Sequence, residues 1–176
     1  MSKKIAYQGR PGAYSHLVCI KAFPNYEPVS CESFEEVFKK TENKETEISL
    51  IPIENSQAGR VADIHNLLPM SNLVITGEYF HKISHHLLGC PGSSLDSIKT
   101  AESHLHALAQ CKDFLSKNKI KPIISADTAG AAEEISKVKN NNRAAIASEL
   151  AAKIYNLTIL SSNIEDATHN TTRFLF

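Results

Sequence analysis

Short strand-like runs alternate with amphipathic helical patterns along almost the whole chain, and this alternation sets the expected fold class as α/β. Residues 4–8 read as a first strand and Gly9, Arg10, Pro11 and Gly12 as a turn. A helix follows with Tyr14, Leu17, Val18 and Ala22 on one face. Pro24 ends it, because proline has no amide proton and restricts the residue before it. Ser33 and Glu36 have the spacing of a capping box, and Phe34, Val37 and Phe38 supply that helix's buried stripe. A buried strand over residues 48–53 stops at Glu54, Asn55 and Ser56. A loop around Gly59 and a helix over 61–68, closed by Pro69, come next.

An extended stretch over 73–84 and a turn at Cys90, Pro91 and Gly92 lead into a second series. Strand 98–101 precedes a helix over about 105–115, and strand 122–125 precedes a helix capped by Asp127. After a turn at Asn140, Asn141 and Asn142 come a small buried strand over 144–147 and a helix over 149–155. Asn156 is a candidate left-handed cap for that helix, and a strand over 172–176 ends the chain. No internal repeat or low-complexity linker is visible. The extended stretch over 73–84 is therefore the expected boundary between two lobes. Ligands of open α/β sheets collect beyond the carboxyl ends of the strands, so two lobes would set a binding cleft between them.

Nineteen basic residues balance nineteen acidic ones, which argues against a nucleic-acid partner. The opening residues lead into no signal-peptide core, and no apolar run has the length of a membrane span. A cytoplasmic protein with no membrane partner is the expectation. Cys19, Cys31, Cys90 and Cys111 are scattered without a C-x-x-C pair and read as small core residues, with neither disulfide nor zinc expected.

Several constellations could carry chemistry. Glu54, Asn55 and Ser56 stand at the carboxyl end of a buried strand, where binding groups belong, yet Asn and Ser also make caps and turns cheaply; both readings stay open. The turn at Gly9–Gly12 could face an anion, but the tight-turn reading is favoured, since neither a dinucleotide fingerprint nor a P-loop is present. His85 with His86, and His104 with His106, lack a third ligand of recognisable spacing, so capping or cleft-lining outranks a metal site. Ser103 and Ser148 stand where strands become helices and have no nucleophile elbow; they read as caps, with ligand contact second. In a regular strand Thr172, Phe174 and Phe176 share one face and Arg173 the other, so by pattern alone Arg173 is an exposed edge residue.

Taken together and in order, these segments resemble the prephenate dehydratase family. The resemblance is carried by Tyr7-Gln8-Gly9 with Gly12-Ala13-Tyr14-Ser15-His16, and by Pro52-Ile53-Glu54-Asn55-Ser56 with Gly59. It continues through His86-Leu87-Leu88-Gly89, Ser103-His104 with Ala107-Leu108-Ala109-Gln110-Cys111, and Thr172-Arg173-Phe174. It implies two α/β lobes resembling a periplasmic binding protein with an active-site cleft between them. Lobe 1 would take about 1–76 plus 162–176 and lobe 2 about 77–161. It also implies a cytoplasmic enzyme of phenylalanine biosynthesis, a homodimer or higher homo-oligomer, converting prephenate to phenylpyruvate, water and carbon dioxide with no cofactor or metal. Arogenate dehydratase, or a non-catalytic small-anion-binding module of the same fold, are the alternatives.

By that resemblance Thr172 and Arg173 are the catalytic pair. Thr172 would stand at the departing hydroxyl, and Arg173 would hold a carboxylate or orient its neighbours. Asn55 and Ser56 would bind polar groups of the substrate, Glu54 would position them, and Ser103, His104 and Phe174 would complete the binding set. Leu105 and His106 stand where the family often has proline and glutamine, so a glutamine contact does not carry over unchanged. Many relatives continue into a phenylalanine-binding ACT domain; the sequence stops after Phe176, so no feedback by phenylalanine is expected.

Overall fold

The computed structural model describes residues 3–176, which divide into two compact α/β units. The first comprises the chain up to Arg10, Tyr14–Ile83 and His169–Phe176; the second comprises Pro11–Ala13 and Ser84–Thr168. In the first unit the order is β1 (Lys3–Gln8), α1 (Tyr14–Ala22), β2 (Tyr26–Cys31), α2 (Phe34–Glu42), β3 (Ile48–Asn55), β4 (Gly59–Arg60), α3 (Ala62–Leu67) and β5 (Glu78–Lys82). The second contains β6 (His86–Gly89), β7 (Thr100–Ser103), α4 (Leu105–Ala109), α5 (Lys112–Lys117) and β8 (Lys121–Ile124). It continues with α6 (Thr128–Val138), β9 (Arg143–Ala147), α7 (Glu149–Ile154) and β10 (Thr158–Ser161). The chain then returns to the first unit as β11 (Thr171–Leu175). The crossings fall at residues 83/84 and 168/169 rather than near 76/77 and 161/162. The reason is that β5 pairs with β11 along its whole length and so belongs to the first sheet.

Both sheets have one topology. The first runs β2-β1-β3-β11-β5, with β4 added beside β3, and the second runs β8-β7-β9-β6-β10. In each, three parallel strands in the order second-first-third are extended by two antiparallel strands that come from outside that series. This repeat is invisible in the sequence because only the pairing, not the side chains, is duplicated.

Helices cover both faces of each sheet, which is why the central strands are apolar on both sides. Ile5, Tyr7, Leu50 and Phe174 pack with Val18 and Cys19 of α1 on one face of the first sheet, and Ala6 and Ile51 pack with Val37 and Phe38 of α2 on the other. In the second, Leu87, Ala144 and Ile146 meet Leu108, Cys111 and Leu115, while Leu88, Ala145 and Ala147 meet Ala131, Ile135 and Ala151. All four cysteines are buried free thiols, and burial pushes Cys19 up to about 12 and Cys31 up to about 11.

Local signals account for the helix starts. Ser33 Oγ accepts from the Glu36 amide, while the Glu36 carboxylate accepts from the amide of Glu32, one residue earlier than a standard box. Asp127 caps α6 by accepting from the Gly130 amide, and Asn156 has the left-handed φ of +53°. The expected single helix over 105–115 is instead two, α4 and α5, broken at Gln110 and Cys111. Asp166 holds the break open: its amide donates to the Gln110 carbonyl and its carboxylate accepts from the Asp113 amide in the first turn of α5.

Candidate active site

The last two residues of β3 lie in register with residues of three neighbouring strands. Asn55 pairs with Gly59 of β4 and Thr172 of β11, and Thr172 pairs in turn with His81 of β5. One step away, Glu54 pairs with Arg60 and Arg173, and Arg173 with Phe80. Directly paired residues project from the same face, and successive ones from opposite faces. The first row therefore carries Asn55, Thr172 and His81 on one side of the sheet, and the second carries Arg60, Glu54, Arg173 and Phe80 on the other.

The first row is an ordered polar network. Asn55 Nδ2 donates to Thr172 Oγ1 at 2.8 Å and to Asn170 Oδ1 at 2.9 Å, and Asn55 Oδ1 accepts from the amides of Gln57 at 2.9 Å and Ala58 at 2.8 Å. All four hydrogen-bonding positions of the Asn55 amide are thereby used, which fixes its orientation. Thr172, 9% exposed, accepts from Asn55, so its own proton is the one to be donated. Ser56 exchanges bonds with Thr171, amide to carbonyl at 2.9 Å and amide to Ser56 Oγ at 3.0 Å, and its hydroxyl donates to the His169 carbonyl. Gln57 Nε2 donates to the same carbonyl at 2.9 Å. Residues 55–57 thus hold the segment that enters β11.

The second row is ionic. Arg173 Nε donates to Glu78 Oε2 at 2.7 Å, its NH2 lies 2.7 Å from the same oxygen, and its NH1 donates to Glu54 Oε1 at 3.3 Å. Both carboxylates raise the guanidinium pKa above its ordinary value, Glu78 the more strongly, and the group lies 5.8 Å over the Phe80 ring. β11 is regular against β5, but its pairing with β3 skips Ile53, so a bulge separates Glu54 and Asn55 from the rest of the strand.

The structure thus gathers Glu54, Asn55, Ser56, Thr172, Arg173 and Phe174 at the paired ends of β3 and β11, but divides them between two faces. Phe174, expected in the binding set, is 1% exposed inside the cluster of Ile5, Tyr7, Val18 and Leu50 and serves packing. Ser103 and His104 belong to the second unit. Ser103 is fully buried and donates to the Ile146 carbonyl at 2.6 Å, which ties β7 to β9 and occupies the hydroxyl proposed for a ligand. His104 caps α4, its Nδ1 accepting from the His106 amide, and its ring lies 5.2 Å from that of His106. Burial first, then the neighbouring His106, lower its pKa, with Asp127 opposing.

Asn170 and His81 escaped the sequence reading. The signal for Asn170 was its i, i+2 spacing from Thr172, which puts both on one strand face; nothing local marked His81, which is placed by pairing alone. Among the described residues no group of three or more His, Cys, Asp or Glu side chains is arranged to hold a metal.

Residues 5–176 match the family model described as prephenate dehydratase. The chain belongs to the prephenate dehydratase family. It is 44% identical, over 97% of its length, to the bifunctional N-acyl-homoserine lactone acylase/prephenate dehydratase of Komagataeibacter europaeus. It is 42% identical over 98% to the chloroplastic arogenate dehydratase/prephenate dehydratase 2 of Arabidopsis thaliana. It spans only 60% and 45% of the length of these two relatives. Among solved structures it is similar to GqqA, described as a novel type of quorum quenching acylase, with a TM-score of 0.92 and 42% identity over 98% of this chain and 63% of that one. The prephenate dehydratase of Staphylococcus aureus gives a TM-score of 0.84 at 27% identity, covering 98% of this chain and 64% of that one. In this member of the prephenate dehydratase family, the segment from Pro52 to Ser56 and the segment from Thr172 to Phe174 are hydrogen-bonded neighbours, joined through Asn55 and Thr172.

Proposed function

We propose that the protein is a decarboxylating dehydratase that converts prephenate to phenylpyruvate, water and carbon dioxide. The observation that carries this reading is the bond from Asn55 to Thr172, in which the threonine oxygen accepts and so keeps its own proton for donation. In the reaction the bond from the ring to its carboxylate breaks, and that electron pair enters the ring. The bond to the ring hydroxyl breaks with it, and the leaving oxygen takes one proton to become water. Aromatisation supplies the driving force, so the protein's task is to place one proton donor at the departing oxygen and hold the ring still.

Thr172 supports that role as a hydrogen-bond donor rather than a free acid, since a hydroxyl ionises poorly. Asn55 fixes the direction of the donor, and Asn170 and the turn amides of Gln57 and Ala58 fix Asn55. Ser56, exposed beside Asn55, remains a candidate for polar groups of the substrate. The residues named here perform this step without a cofactor. The reading extends to a homodimer or higher homo-oligomer, which sedimentation would remove by returning a 19.4 kDa particle.

Arogenate differs from prephenate by an ammonium group in place of the keto oxygen, and relatives of both names support either substrate. Parallel assays scoring phenylpyruvate from prephenate and phenylalanine from arogenate decide between them. The 44% identical relative favours a second reading, hydrolysis of N-acyl-homoserine lactones. Release of fatty acid from such a lactone, with no turnover of prephenate or arogenate, would replace the dehydratase reading.

A further inference from the structure

The family resemblance pairs Thr172 and Arg173 as joint actors on the substrate, but adjacent residues of a regular strand face opposite ways, and β11 is regular against β5. The irregularity in the pairing of β11 lies on the β3 side, at the skipped Ile53, and it leaves the pairing of Glu54 and Asn55 intact. We propose that Arg173 is a positioning residue: held by Glu54 of β3 and Glu78 of β5, it clamps β11 beside the bulge and so aligns Thr172 with Asn55, without touching the substrate. This deepens the dehydratase reading and rests on it for its kinetic test.

Three features support the clamp. Arg173 engages one carboxylate from each strand flanking β11, so its charge is matched locally on the reverse face from Thr172. The Glu54 contact sits in the register pair next to Asn55 and Thr172, so a shift of either strand breaks both together. A bulge is the place where such a shift is easiest, because one residue there has no register partner in the facing strand and that ladder is interrupted. With the side chains of Arg173, Glu54 and Glu78 40–46% exposed, these ion pairs add little to global stability, so a large loss of rate on breaking them would reflect alignment rather than unfolding.

The test uses Arg173→Gln, Arg173→Lys and the double variant Glu54→Gln/Glu78→Gln, with prephenate turnover and amide hydrogen exchange of β11 measured on each. A misplacement of the order of one ångström is worth about 100-fold in rate, so kcat should fall by about that factor in Arg173→Gln and in the double variant, with KM little changed. Arg173→Lys should recover part of the rate. In a Thr172→Ala background Arg173→Gln should have no further effect, a result that a merely structural contribution would not give. Amides of β11 should exchange faster in every clamp variant. If Arg173→Gln instead raises KM while Glu54→Gln/Glu78→Gln leaves KM and kcat as they were, Arg173 holds the substrate and the clamp is overturned. Should the wild-type protein turn over neither prephenate nor arogenate, the dehydratase reading fails, and exchange alone decides: unchanged β11 exchange in Arg173→Gln overturns the clamp. Failure of Arg173→Gln to fold moves both readouts to the double variant, which keeps the arginine.

Discussion

Asn55 Nδ2 and Thr172 Oγ1 lie 2.8 Å apart although their residues are 117 positions apart in the chain. The bond has a direction, amide hydrogen to hydroxyl oxygen, and the direction is what makes Thr172 a donor.

Thr172→Val keeps the shape of the side chain and removes the proton. Its kcat should drop by about 10²–10⁴, the usual worth of a positioned proton donor, while Thr172→Ser retains most of the rate. Steady-state kinetics with circular dichroism as the folding control checks this. A valine variant at wild-type turnover would remove Thr172 from the mechanism.

Asn55→Asp separates the turn from the proton. A carboxylate at 55 still accepts from the amides of Gln57 and Ala58, but it accepts the Thr172 proton as well instead of donating to the hydroxyl. Turnover should fall about as far as in Thr172→Val, with Tm close to wild type. A melting curve shifted far downward would show that Asn55 matters through the turn instead.

Ser103→Ala should be a stability variant. Losing the hydroxyl leaves the buried Ile146 carbonyl short of a donor, at a cost of about 1–3 kcal/mol by urea unfolding. KM for prephenate should not move; a several-fold rise would restore Ser103 to the binding set.

Acid should weaken the fold through buried imidazoles. Burial lowers the pKa of His85 below its ordinary 6.5, with the bond to Gln110 and the charge of Glu165 opposing, and burial likewise lowers His16 and His104. Between the ordinary and the lowered values the unfolded chain binds more protons than the folded one, so stability rises with pH there. Urea midpoints should hold above pH 6.5 and decline below it, and His85→Gln should make the decline shallower. Midpoints that climb on acidification would contradict the assignment.

Much of the first unit was legible because its signals are local. The cap at Ser33 stands where residue types and spacing put it. The strand expected over 48–53 runs on to Asn55, and Gly59 and Arg60, expected in a loop, form β4, because Glu54 and Asn55 pair with them. Strand alternation also separated Thr172 from Arg173 before any pairing was known. β2 and β10, both on sheet edges, lack the apolar run that marks a central strand, and the two-residue β4 is too short to show any strand pattern, so none of the three is legible in the sequence. The break between α4 and α5 was hidden because its cap, Asp166, comes from far along the chain. The anion-facing reading of the turn near Gly12 gives way to packing. Its φ is +92°, a Cβ there would stand 3.0 Å from Ala151 Cα, and its carbonyl accepts from Ser148.

The insertion of β11 between β3 and β5 has a consequence for how the protein is made. A ribosome releases every partner of this strand before the strand itself, so the first sheet waits with β3 and β5 unjoined until residues 84–168 have been synthesised. The second unit, apart from three early residues, is one continuous stretch and is complete by then. Long-range pairings of this kind close late and slowly. The same event that seals the sheet delivers Thr172 to Asn55, so no shorter nascent chain holds the proton donor in place.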